Sequence, residues 1–175
     1  MSDGRAPTFE VRPVGDDQWD VVAWLWQLFR HDLATVVGGL PYADGRYRHA
    51  WLDPLPNDDA AGYLAWCPHP NGGEAPVGLA IVHGLRGERR RVLAFWTSPV
   101  LRRAGLGTGL ALDVLARHPG PWSIAFQRDN AAAAAFWRRV ATTAFGAEGE
   151  AWDEEPRVVP GRPHLPPDHW IESRA

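Results

Sequence analysis

The sequence contains no lysine: all 18 of its basic residues are arginine. Enzymes that form a Schiff base through a lysine side chain are therefore excluded. The Walker A nucleotide loop and the protein kinases that depend on a lysine are excluded as well. An anion-binding site in this chain must be built from other groups, such as arginine side chains and backbone N–H groups.

Cysteine, metal-ligand clusters and long apolar runs are also scarce. Cys67 is the only cysteine, so the chain forms no intramolecular disulfide and no thiolate metal site. His164 and His169 lack a ligand spacing with carboxylates, and we expect no metal. The longest apolar run, Val21 to Phe29, is too short to cross a bilayer, and Met1 to Pro13 holds no apolar signal segment. These absences favour a cytoplasmic protein without a membrane partner.

The composition is that of an ordinary globular protein, with 175 residues, 45% hydrophobic and 22% charged. We expect one domain over residues 1–175. The net charge of −3 does not favour a nucleic-acid partner. Residues 1–60 hold ten acidic residues and five arginines, whereas residues 61–175 hold eleven and thirteen, with six arginines between Arg86 and Arg103. This asymmetry indicates ligands of opposite sign, or only scatter over a solvated surface.

Apolar spacing predicts most of the secondary structure. Val22, Trp26 and Phe29 recur at helical spacing, which predicts an amphipathic helix over 17–31 that is broken by the glycines and proline of 38–41. The order is strand 8–14, helix 17–31, a short helix 47–51, strands 62–67, 77–83 and 91–97, helix 105–117, strand 122–126 and helix 131–141. Beyond residue 146 the signal weakens: 149–158 and 168–173 can each form a strand, with a proline-rich loop between them.

This order predicts an α+β fold. Its sheet is mixed and mostly antiparallel, flanked by helices, because successive strands are joined by short turns. Strand 91–97, helix 105–117 and strand 122–126 form the one parallel strand–helix–strand unit.

The stretch from Ser98 to Thr108 joins a predicted strand to a predicted helix. A helix N-terminus offers unpaired N–H groups and a positive dipole end, and glycines let a ligand approach the backbone closely. Arg102 and Arg103 add positive charge beside it. An anion such as a diphosphate can therefore rest on the N–H groups of Arg103, Ala104, Gly105, Leu106, Gly107 and Thr108. The two glycines alone also fit a tight turn in which they only relieve strain.

The whole pattern of apolar strand, proline, Arg-x-x-Gly-x-Gly and amphipathic helix resembles the acetyl-CoA-binding motif of the GNAT superfamily of acetyltransferases. Asn130, Ala133, Phe136 and Trp137 resemble that superfamily's later strand–helix motif, Asn-x-x-Ala-x-x-(apolar)-Tyr. The order of elements up to about residue 145 fits as well. The chain is also similar to a narrower bacterial group of GNAT acetyltransferases without a settled substrate, at Leu28 to Asp32, Asp44 to Tyr47, Pro119 to Trp122, and Asn130 with Phe136 to Arg138.

The resemblance implies where acetyl-CoA would bind, as a co-substrate without a metal. The fourth and fifth strands, 91–97 and 122–126, would splay into a V-shaped slot. Backbone groups of Phe95 and Thr97 would pair with the pantetheine, and Asn130, Phe136 and Trp137 would lie beside it. The diphosphate would rest on the 103–108 turn with Arg102 beside it, and Arg86, Arg89, Arg90 or Arg103 would meet the 3′-phosphate.

The resemblance further implies direct acyl transfer to an amine, but two family positions differ. No carboxylate lies on strand 91–97, where Ala94 takes the place of the expected glutamate. Trp137 stands where the family has a tyrosine, and an indole is no general acid at neutral pH. His31 and Asp32, at the predicted end of the first helix, are the remaining ionisable candidates. His31 can equally serve only as a cation at that helix end.

We expect the acceptor to be a small molecule with a primary amine, bound near Trp26, Tyr42, Tyr47 and Trp96. The leading hypothesis is therefore an acetyl-CoA-dependent N-acetyltransferase, acting as a monomer or homodimer. One alternative is another acyl-CoA reaction on the same fold. The other is a CoA-binding regulatory module without catalysis, which the missing strand carboxylate favours.

Overall fold

Seven strands pair into one sheet in the computed structural model, which describes residues 8–48, 50, 52–159, 161 and 166–174. The sheet order is β1-β2-β3-β4-β5-β7-β6, and all neighbours are antiparallel except β4 and β5. The mixed α+β prediction is thereby confirmed. The strands are β1 (Glu10–Pro13), β2 (Ala60–Pro68), β3 (Glu74–His83), β4 (Arg90–Thr97), β5 (Trp122–Gln127), β6 (Trp152–Arg157) and β7 (Asp168–Ser173).

Helices cover both faces of the sheet. The helix α1 (Trp19–Val37) buries Val22, Leu25 and Trp26 on one face. On the opposite face lie α2 (Leu106–Arg117) and α3 (Ala131–Phe145). Because successive side chains of a strand point to opposite faces of the sheet, each strand contributes to both cores. In β4, Ala94 and Trp96 face α1, whereas Phe95 faces α2 and α3. Each large side chain buried this way contributes about 1.5–3 kcal/mol to folding.

The strands β4 and β5 pair only at their beginnings. The register joins Arg90 to Trp122 and Arg91 to Ser123 and then ends, whereas β7 pairs with the opposite edge of β5 from Ser123 to Gln127. Val92–Thr97 of β4 therefore pairs with β3 along one edge and leaves β5 on the other. The V-shaped splay between the fourth and fifth strands is confirmed.

The far end of α2 is fixed to the sheet. Tyr63 Oη of β2 lies 2.6 Å from Nε2 of His118, and the Trp122 indole donates a hydrogen bond of 3.1 Å to the His118 carbonyl. Burial, with Arg90 and Arg117 nearby, lowers the pKa of His118, so the neutral imidazole that can accept from Tyr63 is favoured. The position of this end sets the direction of α2, whose other end follows the turn after β4.

The first helix is longer than predicted, and this corrects the placement of two candidate residues. The helix α1 continues to Val37 and ends before Gly38, so His31 and Asp32 lie inside it and not at its end. The half-buried Leu33 and Val36 extend its apolar face, and the predicted glycine break is the first stop signal that the chain meets. A role for His31 as a helix-end cation is therefore wrong.

The short helix predicted over 47–51 is not found where the structure describes it. Tyr47 and Arg48 are not helical, and His49 and Trp51 lie outside the described residues. Both backbone groups of Tyr47 bond to the side chain of Gln27, which leaves them unable to join a helical ladder.

Both weakly predicted C-terminal strands exist, as β6 and β7. They form an antiparallel pair that runs from Trp152 opposite Ser173 to Arg157 opposite Asp168. Residues 160 and 162–165 of the proline-rich link lie outside the described part. None of the helices in the described ranges is long and apolar enough to cross a membrane.

Candidate active site

The turn that follows β4 has an unusual backbone. Ser98 N donates to Val77 O at 2.8 Å, and a short 3-10 turn over Pro99–Leu101 leads into α2. Arg103 has φ +66°, the only positive φ of a non-glycine residue within the described part of the chain, and Gly105 has φ +85°. The left-handed conformation costs a side-chain-bearing residue free energy, and such strain is typical of functional turns.

This turn leaves a row of N–H groups free. The first helical hydrogen bond of α2 runs from Gly109 N to Gly105 O at 2.9 Å. Among the residues that the structure describes, none accepts a hydrogen bond from the N–H groups of residues 105–108. Those N–H groups (the cradle) and the positive end of the α2 dipole are suited to hold an anion. Ala104, which the sequence predicts as a further donor, is already used, because its N–H donates to Leu101 O at 3.4 Å.

Gly107 lies where three elements meet. A Cβ atom on Gly107 would lie 3.3 Å from Cε2 of Phe136 on α3 and 3.6 Å from Cγ2 of Thr97 on β4. Contacts at 3.3 Å are tighter than normal, so a larger side chain would displace its neighbours. The glycine therefore lets the first turn of α2 lie close to Phe136 and to the end of β4.

The beginning of α3 forms the opposite wall of the splay. Asn130 caps this helix, because its Oδ1 accepts a hydrogen bond of 3.1 Å from Ala133 N. Its amide NH₂ group bonds to none of the described residues, so this donor is available to a ligand. Trp137 is only 6% exposed and packs edge-on against Phe95 and Phe136, at centroid distances of 5.0 and 4.9 Å. These three rings fill the space beneath the opening.

On the other face of the sheet, Asp32 joins α1 to β4 and to the turn. Its Oδ2 accepts a 3.1 Å hydrogen bond from Nε1 of Trp96 and also pairs with the guanidinium of Arg102. Asp32, Trp96 and Arg102, to which the sequence assigned separate roles, thus meet at the Asp32 carboxylate. The sequence placed Arg102 beside the diphosphate, whereas here its side chain is directed to Asp32.

A loop over residues 42–48 lies against α1 through Gln27. The Gln27 Oε1 atom accepts a hydrogen bond from Tyr47 N at 2.7 Å, and the Gln27 Nε2 atom donates one to Tyr47 O at 3.1 Å. The Trp26 indole, 2% exposed and part of the core, donates to Arg48 O at 3.3 Å. Sequence reasoning missed Gln27, since a glutamine on an amphipathic helix gives no signal of a long-range contact.

The loop brings its two tyrosines to different surroundings. The Tyr47 hydroxyl lies 3.5 Å from Nδ1 of His31, so both side chains border the same space. Tyr42 is 52% exposed, and Arg48 stacks over its ring at 3.8 Å from the centroid. The helix α1 thus takes part in two separate contacts, His31 with Tyr47 of the loop and Asp32 with Trp96 of β4.

Three of the four arginines proposed for the 3′-phosphate lie at the wrong end of β4. Arg89 and Arg90 stand at its beginning, and the strand separates them from the turn by roughly 20 Å. Arg89 is used inside the sheet, where it donates to Trp122 O and Ser173 O at 2.9 and 2.8 Å, and Arg86 pairs with Asp58. Closeness in sequence was misleading because an extended strand carries its two ends far apart. Arg103 remains.

No family model and no curated protein matches the chain. Solved structures do match. Arabidopsis thaliana NAA60 in complex with acetyl-CoA aligns at TM-score 0.62 and 11% identity, over 94% of this chain and 98% of that one. A GNAT-family acetyltransferase from Staphylococcus aureus aligns at 0.58 and 9%, over 96% and 100%. A variant of the spermidine N-acetyltransferase SpeG from Vibrio cholerae aligns at 0.57 and 8%, over 94% and 92%.

These matches define the class of fold to which the structure belongs. At 8–11% identity over nearly the whole chain, they establish the fold of the GNAT acetyltransferases. The resemblance that the motifs predicted is thereby confirmed at the level of the fold.

The attachment of the 42–48 loop can be tested through Gln27. Gln27→Ala removes both hydrogen bonds to Tyr47, so we expect the Tyr47 amide to exchange with deuterium about tenfold faster or more, given the typical worth of one hydrogen bond. The measurement is native-state hydrogen exchange resolved by residue. Leu28→Ala, at the exposed neighbouring position, is the control and leaves this rate unchanged. Unaltered exchange in Gln27→Ala contradicts the attachment.

Proposed function

We propose that the protein is an acetyl-CoA-dependent N-acetyltransferase that transfers an acetyl group to a primary amine of a small molecule by direct attack. One observation carries the proposal: the edge that β4 leaves open after parting from β5 leads directly into the cradle of free N–H groups. An extended arm ending in a diphosphate matches that continuous surface, and CoA is such a molecule. The fold supports the same conclusion.

The residues present fit CoA, because the bare backbone at Gly107 allows a ligand to approach the turn closely. In the proposed complex, the N–H groups of residues 105–108 and the Arg103 guanidinium hold the diphosphate. The backbone of Phe95 and Thr97 pairs with the pantetheine as an added strand would. Asn130, Phe136 and Trp137 provide the wall on α3. Acetyl-CoA supplies an activated acyl group, and the chain's own residues supply binding and orientation.

The chemistry requires that the amine lose a proton and that the carbonyl oxygen find a hydrogen-bond donor. A backbone N–H near Thr97 is the proposed donor. Ala94, 2% exposed on the α1 face of β4, offers no base. We assign that role to His31, because it lies beside the Tyr47 hydroxyl at the face where the acceptor would enter. Trp137 is buried among rings and serves as packing, so positioning supplies much of the rate.

The acceptor would bind between α1 and the loop over residues 42–48. Tyr47 lies on this loop beside His31, Trp96 lies in the core behind Asp32, and Tyr42 is exposed at the loop's end. Trp26 acts from the core by holding the loop through Arg48. The acidic balance of residues 1–60, which include α1 and this loop, suits an amine.

A second candidate is a CoA-binding module without turnover. The specific observation in its favour is the absence of a carboxylate along β4 together with the buried indole at Trp137. Release of free thiol from acetyl-CoA in the presence of a panel of small primary amines separates the two. Amine-dependent release supports the enzyme. Binding of CoA without release across the panel supports the module, and no binding of CoA contradicts both.

His31→Ala tests the proposed base. We expect turnover to fall about 100-fold, because general base catalysis is typically worth that much or more, while CoA affinity stays unchanged. The control is His69→Ala, an exposed turn histidine. Equal turnover of His31→Ala and wild type would remove His31 from the mechanism.

Gly107→Leu tests whether CoA approaches the bare backbone at Gly107. The leucine would enter the space between Phe136 and Thr97, so we expect CoA affinity to fall by about 30-fold or more. Isothermal titration with CoA measures the affinity, and circular dichroism verifies folding. Ala116→Leu adds the same side-chain type at an exposed position on the same helix and leaves the affinity unchanged. If a folded Gly107→Leu variant binds CoA like the wild type, CoA does not bind at the turn around Gly107.

A further inference from the structure

One carboxylate and one guanidinium connect the two faces of the site. Asp32 belongs to α1, on the face assigned to the acceptor, and Arg102 begins the turn that is assigned to the diphosphate. Their side chains are 37% and 48% exposed, respectively. An ion pair this exposed contributes at most about 1 kcal/mol, so a competing charge can separate it.

The carboxylate would keep its place without the guanidinium. The same Oδ2 atom of Asp32 accepts the hydrogen bond from Trp96, whose indole is 7% exposed and packed in the core under α1. The partner residue is freer to move. The backbone N–H of Arg102 is already used, since it donates to Pro99 O at 3.3 Å, but its guanidinium is held only by Asp32 among the described residues.

A diphosphate on residues 103–108 would present a second and more highly charged partner to Arg102. Guanidinium groups bind phosphates in forked geometry and with charge-assisted hydrogen bonds. Arg102 lies three residues before the first N–H group of the cradle, so its flexible side chain starts close to that anion. Asp32 and the diphosphate would therefore compete for one guanidinium.

We propose that Arg102 is shared between Asp32 and the diphosphate of CoA, and that Asp32 is the residue that recognises a positively charged acceptor. When CoA draws Arg102 away, the Asp32 carboxylate stays fixed by Trp96 and faces the acceptor side with its charge unpaired. Before that, the guanidinium neutralises it and repels a cation. The acceptor class is thus an amine that carries a positive charge, and it binds well only after CoA. This inference rests on the proposed function.

The competition is measured with CoA alone, by isothermal titration. Asp32→Asn removes the competing charge but keeps an oxygen that can accept from Trp96, so we expect CoA to bind about three- to fivefold more tightly. Arg102→Gln should bind CoA more weakly, and adding Asp32→Asn to it should then change nothing. Asp113→Asn changes the net charge equally at the Arg117 pair of α2 and is the control. Pantetheine, which lacks phosphates, should bind Asp32→Asn and wild type alike.

Each outcome decides a separate point. Unchanged or weaker CoA binding by Asp32→Asn overturns the sharing of Arg102 and leaves the proposed function standing. Tightening that persists in the Arg102→Gln background also overturns it, since the effect would then be plain repulsion between Asp32 and phosphate. Failure of the wild type to bind CoA overturns the proposed function and this inference together.

The acceptor assignment has its own probe, 1,5-diaminopentane. We expect it to bind the CoA complex of the wild type about three- to fivefold more tightly than the free protein. In Arg102→Gln the affinity should be high without CoA, and in Asp32→Asn it should be low in both states. Equal or unmeasurable binding of the diamine to the wild type with and without CoA overturns the assignment of Asp32.

Discussion

The site depends on one constraint: β4 and β5 pair for only two residues before they part. Beyond Arg91 the two strands no longer pair, although β7 still pairs with the opposite edge of β5. The rings of Phe95, Phe136 and Trp137 pack together on the α2 and α3 face of the sheet. The end of β4 therefore keeps an open edge that no strand of the described sheet covers. An extended ligand can add to such an edge, and the turn with its free N–H groups begins where the edge ends.

The sheet also separates the two kinds of chemistry. In the proposed complex, the side of α2 and α3 offers backbone donors and Arg103 to an anion, whereas the side of α1 offers Asp32 and His31 to an amine. The charge asymmetry of the sequence acquires a spatial meaning here, although only in part. Of the arginines from Arg86 to Arg103, Arg102 and Arg103 reach the turn, and Arg89 joins strands inside the sheet. Asp32 and Arg102 are the point at which the two sides meet.

Local patterns were sufficient to predict the elements and the mixed sheet, because helix and strand periodicity are written into short stretches of chain. The end of α1 was misplaced since Leu33 and Val36 extend the helix without a strong signal. Contacts between distant segments were out of reach: the hold of Gln27 on Tyr47 and the use of Arg89 in the sheet depend on the folded arrangement. The turn over residues 102–108 was predictable because its glycines and its place before a helix are local features.

Binding of CoA along the open edge of β4 and at the cradle can be measured directly. The ¹⁵N-labelled protein is titrated with CoA, and each amide is followed in NMR spectra. Binding at the open edge and the cradle predicts the largest shifts at the amides of residues 103–108 and at Phe95 and Thr97. Smaller shifts are expected around Asn130, and none at the distant Arg86. No shifts at all, or shifts confined to the groove between α3 and β6 around Arg139, would contradict CoA binding at the open edge and the cradle.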